Sequence, residues 1–213
     1  MTISKGIYRF FQNESMRKKS GLILTVIVLF FVLSCSKDNN SSGSSALAGT
    51  WVFNGLHAKT SSTVSDTQGG IQYTTVSTSD YTTTSNGGTV KISGNTMTGT
   101  GITYSATINV LATDYVGTTI LDTFSTTIPF NVPPTNSVSS FEVIGKDSIH
   151  YTSAAIFGAA GSGAPAVTGS KFSIDGDVLT LTSNVVQDKV FDSLGVVITQ
   201  HDAAFVVTTL QKQ

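Results

Sequence analysis

After residue 47, apolar and polar residues alternate with a period of two along much of the chain. Tyr104, Ala106, Ile108 and Val110 are interleaved with Thr103, Ser105, Thr107 and Asn109. Phe124, Ile128, Phe130 and Val132 share one parity against Thr123, Ser125, Thr127 and Asn131. In an extended chain this spacing sends the two sets of side chains to opposite faces, one buried and one in water. Runs of similar character at 50–56, 71–78, 89–92, 139–144, 148–157, 171–174, 178–182, 185–191 and 203–210 predict further strands, and no helix of any length is expected there. Turn signals separate them: Asn86-Gly87-Gly88, Ser93-Gly94-Asn95, Pro133-Pro134, Asp175-Gly176-Asp177 and Leu194-Gly195. The pattern predicts an all-β domain over residues 47–213, an antiparallel up-and-down barrel or, as the alternative, a β-sandwich.

The first part of the chain follows another pattern. Arg17, Lys18 and Lys19 precede an apolar run at 22–33 broken only by Thr25, and the sequence turns polar at once after Cys35. The run has 12 residues, whereas a membrane-spanning helix needs about 20. Its length suits the apolar region of a secretory signal peptide. Val32-Leu33-Ser34-Cys35 resembles the bacterial lipobox. That resemblance implies cleavage before Cys35, a diacylglyceryl group on its sulfur and acylation of the new N-terminus. Residues 1–34 are then the signal peptide, and 35–46 are the lipidated cysteine with a Ser-, Asn- and Gly-rich flexible tether. Signal peptides begin at their basic region, so translation is expected to start at Met16, with residues 1–15 a misassigned start. The expected partner is a membrane, through the lipid anchor, and the expected place is the cell envelope. That place is taken as the outer membrane, on its periplasmic face or at the cell surface. Lys37-Asp38 loosely resembles the charged tags that send some lipoproteins to the surface.

Composition narrows the function. Charged residues make up 12% of the chain, about half of the roughly 25% usual in soluble domains, and the net charge is −1. A nucleic-acid partner is not expected, because no basic patch is present to displace counterions from phosphates. Cys35 is the only cysteine, so the fold must rest on its core rather than on an internal disulfide.

No catalytic pattern stands out in the sequence. His57, His150 and His201 are widely separated and lack HExxH or CxxC partners, so no metal site is expected. His150 shares a parity with Ser148 and Thr152 against Ile149 and Tyr151, which places it in solvent. Ser162 lies in a Gly- and Ala-rich stretch, 158–163, that follows a strand but opens no helix to hold a phosphate. Asp175 and Asp177 flank a glycine and read as a hairpin turn rather than an acid pair. Glu142, the only Glu after the cleavage point, has no acid partner nearby. The expectation is a non-enzyme without cofactors.

Leu47-Ala48-Gly49-Thr50-Trp51 places G-x-W on the first strand, and Phe172 to Thr182 reads as a late hairpin. Both stretches resemble the lipocalin-like domains of exported lipoproteins of the Bacteroidetes type. The resemblance implies that Trp51 packs across the closed end of the barrel, a structural role. Classical lipocalins carry a late Arg near this Trp; the basic residues of the last strands here are Lys189 and Lys212. The resemblance also implies a non-catalytic domain, its interior either hollow for a small apolar or amphiphilic ligand or filled by side chains. The alternative is a structural or interaction module of the envelope, an assembly subunit or adhesin.

Overall fold

A computed structural model describes residues 41–159 and 164–213. A seven-residue helix, α1 (Ser41–Leu47), leads into nine strands: β1 (Gly49–Gln68), β2 (Ile71–Thr82), β3 (Thr84–Ser93), β4 (Thr96–Val116), β5 (Thr119–Ile144), β6 (Ser148–Tyr151), β7 (Gly169–Asp175), β8 (Val178–Ser193) and β9 (Val196–Lys212). Each strand pairs antiparallel with its neighbours, and β1 pairs with β9, so the sheet closes into a ring. β2 and β3 occupy one place in that ring. β2 lies against His57–Gln68 of β1 and β3 against Gly49–Val52, and β4 pairs with both. The fold is an antiparallel up-and-down barrel.

The sheet is bent where β2 passes into β3. Ser85 has φ +51° there, and β1 carries a register shift at Phe53/Gly55 beside it. The buried Thr83 hydroxyl accepts the Leu56 amide at 2.9 Å, and the Asn86 side-chain amide donates to the Asn54 carbonyl at 2.7 Å. These side chains replace ladder bonds that the bend removes, which keeps the backbone groups paired.

Two of the expected turns are bulges instead. Asn86-Gly87-Gly88 lies inside β3, where the register to β4 shifts on both sides of Gly87. Pro133-Pro134 lies inside β5, between the pairs Tyr104↔Val132 and Ile102↔Thr135. Proline cannot donate to a ladder, and bulges on strands with an open edge are the places that tolerate it. The runs at 124–132 and 139–144 therefore belong to one strand, as do those at 178–182 and 185–191. The run at 148–157 is a strand only to Tyr151, and the tether read over 35–46 is helical from Ser41.

One end of the barrel is packed solid. Leu47, Trp51, Phe53, Val90, Ile92, Met97, Phe141, Leu179 and Leu210 are each at most 2% exposed there. The other end is not closed. β6 covers β5 only over Phe141–Ile144, and β7 covers β8 only up to Thr182. Among the described residues no strand bridges β5 and β8 beyond those points. The chain between β6 and β7 covers part of the gap: Phe157 and Val167 are buried, and the Phe157 ring stacks on Phe53 at 4.9 Å. Phe53 in turn meets Tyr104 at 5.7 Å, and Tyr104 meets Phe130 at 6.1 Å.

Hairpins β1–β2 and β8–β9 turn through two residues with positive φ, Gly69-Gly70 and Leu194-Gly195. This conformation matches strand twist and favours Asn-Gly or Gly-Gly. Leu194, at φ +55° and fully exposed, gains nothing by packing to offset its steric cost. Leu194→Asn is expected to raise stability by about 0.5–1 kcal/mol, measurable as a higher urea midpoint at unchanged m-value.

Candidate functional site

Above the packed end, the ring opens into a cavity of about 820 Å³ whose walls differ in chemistry. Ile108 and Val110 of β4 and Ile128 and Phe130 of β5 form an apolar side. Thr60 and Ser62 of β1, Ser77 and Ser79 of β2 and Gln200 of β9 form a hydroxyl- and amide-bearing side. The alternation read from the sequence accounts for the apolar side: Ile108, Val110, Ile128 and Phe130 fall on the inward parities of β4 and β5. Because β5 has no neighbour here, Ile128 is 48% exposed, facing the cavity rather than the core.

The polar side is held by a cluster around Asp202, whose side chain is 1% exposed. Its carboxylate accepts from the Ser62 hydroxyl at 2.6 Å and from Gln200 Nε2 at 2.9 and 2.8 Å, and Lys189 Nζ lies 3.5 Å away. Burial by itself would raise the Asp202 pKa. The hydrogen bonds from Ser62, Gln200 and Lys189, with the ammonium charge, outweigh burial and hold the carboxyl below its usual range. Beside this cluster the Thr60 and Ser79 hydroxyls pair at 2.7 Å, and nearer the rim Thr75 donates to Asp114 at 2.6 Å.

This depression links the site to stability. The folded form binds the Asp202 proton more weakly than the unfolded form, so the contribution is complete above an unfolded carboxyl pKa of about 3.9. It is lost as pH falls through the lower folded value. The thermal midpoint is expected to drop on acidification below about pH 4, and Asp202→Asn should flatten that part of the profile. An unchanged acid limb in the variant would remove Asp202 from the linkage.

The residues singled out in the sequence fall elsewhere. Trp51 is at the closed end, fully buried; its Nε1 donates to the Leu47 carbonyl at 2.9 Å, and Lys212 Nζ lies 5.6 Å from its ring. Lys212 thus supplies a late cation over the Trp face. His57 pairs with Asp80 at 2.6 Å and His201 with Asp188 at 2.6 Å, both in exposed positions. The hydrogen bond from His57, then that from Lys59, holds the Asp80 carboxyl below its usual range. His150 is exposed on β6, and its register partner on β5 is Glu142. Among the described residues, no three His, Cys, Asp or Glu side chains gather as metal ligands. Asp175 ends β7 and Asp177 sits in the following turn. Cys35, Ser162 and the proposed start at Met16 lie outside the described residues. Among the described residues no helix is long and apolar enough to cross a membrane.

No protein-family model, curated protein or solved structure matches the chain. The cavity is therefore the feature that bears on function. Its polar cluster was not singled out in the sequence, although one signal pointed there. Asp202 is in phase with Ala204, Val206, Thr208 and Leu210, an acid on the buried parity of β9.

Proposed function

We propose that this chain is a lipid-anchored envelope protein with a lipocalin-like barrel that carries a small amphiphilic ligand without transforming it. The observation that carries this reading is the open cavity of about 820 Å³ with apolar residues on one side and hydroxyls on the other. Its volume lies within the roughly 300–1,000 Å³ of small-molecule sites. The G-x-W start on β1, with Lys212 over the Trp51 ring, supports the lipocalin-like part. The basic residues Arg17, Lys18 and Lys19, the apolar run at 22–33 and Cys35 support the anchor.

Each half has its own test. Cells fed an alkyne fatty acid should label the protein, and Cys35→Ser should abolish the label; a labelled variant would refute the anchor. Native mass spectrometry of protein gently extracted from membranes should reveal a bound small molecule that Val110→Trp, which fills the cavity, excludes. Bare protein that also fails to take up a fluorescent apolar probe would refute the carrier.

A different observation favours the structural or interaction reading. Val186, Val190, Val197 and Phe205 are exposed on the outer face of β8 and β9, beside the unpaired edge of β8. A stoichiometric protein partner lost on Val190→Asp would favour that reading.

A further inference from the structure

The two ends of the barrel turn through different residues. At the closed end the hairpins turn at Gly94-Asn95, Gly145-Lys146-Asp147 and Gly176-Asp177, all polar and two of them charged. At the open end they turn at Gly69-Gly70, Gly117-Thr118 and Leu194-Gly195, with no charge. Ile71, Ile120, Leu121, Leu194 and Val197 stand exposed at or beside these tips. Pairing of β9 with β1 and of β2 with β4 sets the three hairpins next to one another around the mouth. A single exposed aliphatic residue is ordinary, but one or more on every hairpin of one rim marks a contact surface. Ile144 and Ile174 flank two closed-end turns, yet charges at those tips would have to enter an apolar phase first.

Leu194 holds a left-handed φ of +55° at a cost to the fold and buries nothing within it. A residue that breaks a local rule without gain inside the chain points to a contact outside it. Layering identifies that contact. Behind the aliphatic tips, Tyr73 and Tyr115 lie on the paired strands β2 and β4, one register step apart. Aliphatic side chains outermost with Tyr just behind them is the order of residues at a membrane interface. Charge narrows the surface further. Segments 66–73, 114–122 and 192–199 hold no Lys, Arg or His, while Asp66, Asp122 and Asp192 put an acid on each hairpin. Among the described residues, none of these three pairs with a cation. They repel anionic lipid and suit zwitterionic headgroups, whose ammonium lies outermost. A second copy of this chain would set acid against acid.

We infer that the three hairpin tips of the open end form a docking surface for a zwitterionic lipid bilayer, which seats the cavity mouth on the membrane. This contact is distinct from the anchor proposed at Cys35, since α1 joins the barrel at its closed end. It requires neither a lipidated cysteine nor a cavity ligand.

Thr118→Cys places a thiol at one tip for an environment-sensitive fluorophore, and the parent protein, treated alike, reports any label on Cys35. Protein extracted from membranes is reconstituted with phosphatidylcholine vesicles containing a doxyl-labelled phosphatidylcholine as quencher. The tip label should lose about half its emission or more, as a group held within roughly 5–10 Å of the acyl boundary would. Added phosphatidylglycerol should reduce that loss. Ile71→Asp, Ile120→Asp and Leu194→Asp together should abolish it, with the urea midpoint close to the parent's because all three sites are exposed.

A tip label quenched by aqueous iodide and not by the lipid would overturn the docking surface. Shielding from both quenchers would overturn it too, in favour of a protein partner or a second copy. Lipid quenching that survives the triple variant would remove the tips from the contact, and quenching strengthened by phosphatidylglycerol would overturn the zwitterionic preference. Failure of the anchor reading appears separately, as label on Cys35 of the parent, and failure of the carrier reading leaves these outcomes unchanged.

Discussion

Truncating Trp51 to alanine is expected to destabilise the barrel by about 3–5 kcal/mol, much of the roughly 5–15 kcal/mol that holds a typical domain folded. The side chain is fully buried at the packed end, among the largest side chains of the core. Its removal leaves a void that β-strands locked in a ring cannot collapse to fill. It also leaves the Leu47 carbonyl without its indole donor and the Lys212 ammonium without an aromatic face. Trp51→Phe retains most of the packing and loses the N–H, so about 1–2 kcal/mol is expected. Urea unfolding followed by far-ultraviolet circular dichroism reads both, since the mutation removes the chain's single tryptophan. A loss below about 1 kcal/mol for Trp51→Ala would mean that this end is far looser than its burial indicates.

Gly88→Ala is expected to be at least as damaging, for a different reason. A Cβ at Gly88 would lie 2.5 Å from the Gly101 carbonyl oxygen and 2.7 Å from the Ile102 Cα, and the residue has φ +97°. The obstacle is backbone of the neighbouring strand, so no rotamer change relieves it. Either β3 and β4 separate at the bulge or the barrel fails to form, and a loss of about 3 kcal/mol or more is expected. Gly94→Ala is the control: φ is +56° there, but nothing lies within 4 Å of the added methyl. Its cost should stay near the roughly 1–2 kcal/mol of a left-handed residue. Equal losses in the two variants, measured by the same unfolding experiment, would refute the steric account.

How far the sequence spoke depended on whether each strand has a dry face. β4 and the lower part of β5 showed their inward parity because Ile108, Val110 and Phe130 contrast with the Thr and Asn between them. The second half of β1 showed nothing, because in Thr60, Ser61, Ser62 and Thr63 both faces of the strand are polar. The missing hydrophobic contrast is itself the trace of the cavity's polar side. Gly and Pro clusters marked backbone irregularity correctly, yet local residue types do not distinguish a chain that reverses from one that bulges and continues. Pairing across the sheet decides that, as at Gly87 and Pro133. Asp202 was legible as an acid out of place, but its partners Ser62 and Lys189 come from other strands and required the ring to bring them together.

The pairing of β1 with β9 governs when this protein can fold. Trp51 stands opposite Lys212 in that ladder, so the first and last strands of the ring meet across nearly the whole domain. Long-range pairing of this kind is slow, because a large loop must close before any contact rewards it. Until β9 has been made, a nascent chain offers only an open sheet with an exposed apolar face, a poor substrate for premature folding and a good one for chaperones. Such delayed commitment suits a chain that, on the reading proposed here, crosses a membrane unfolded before its barrel closes.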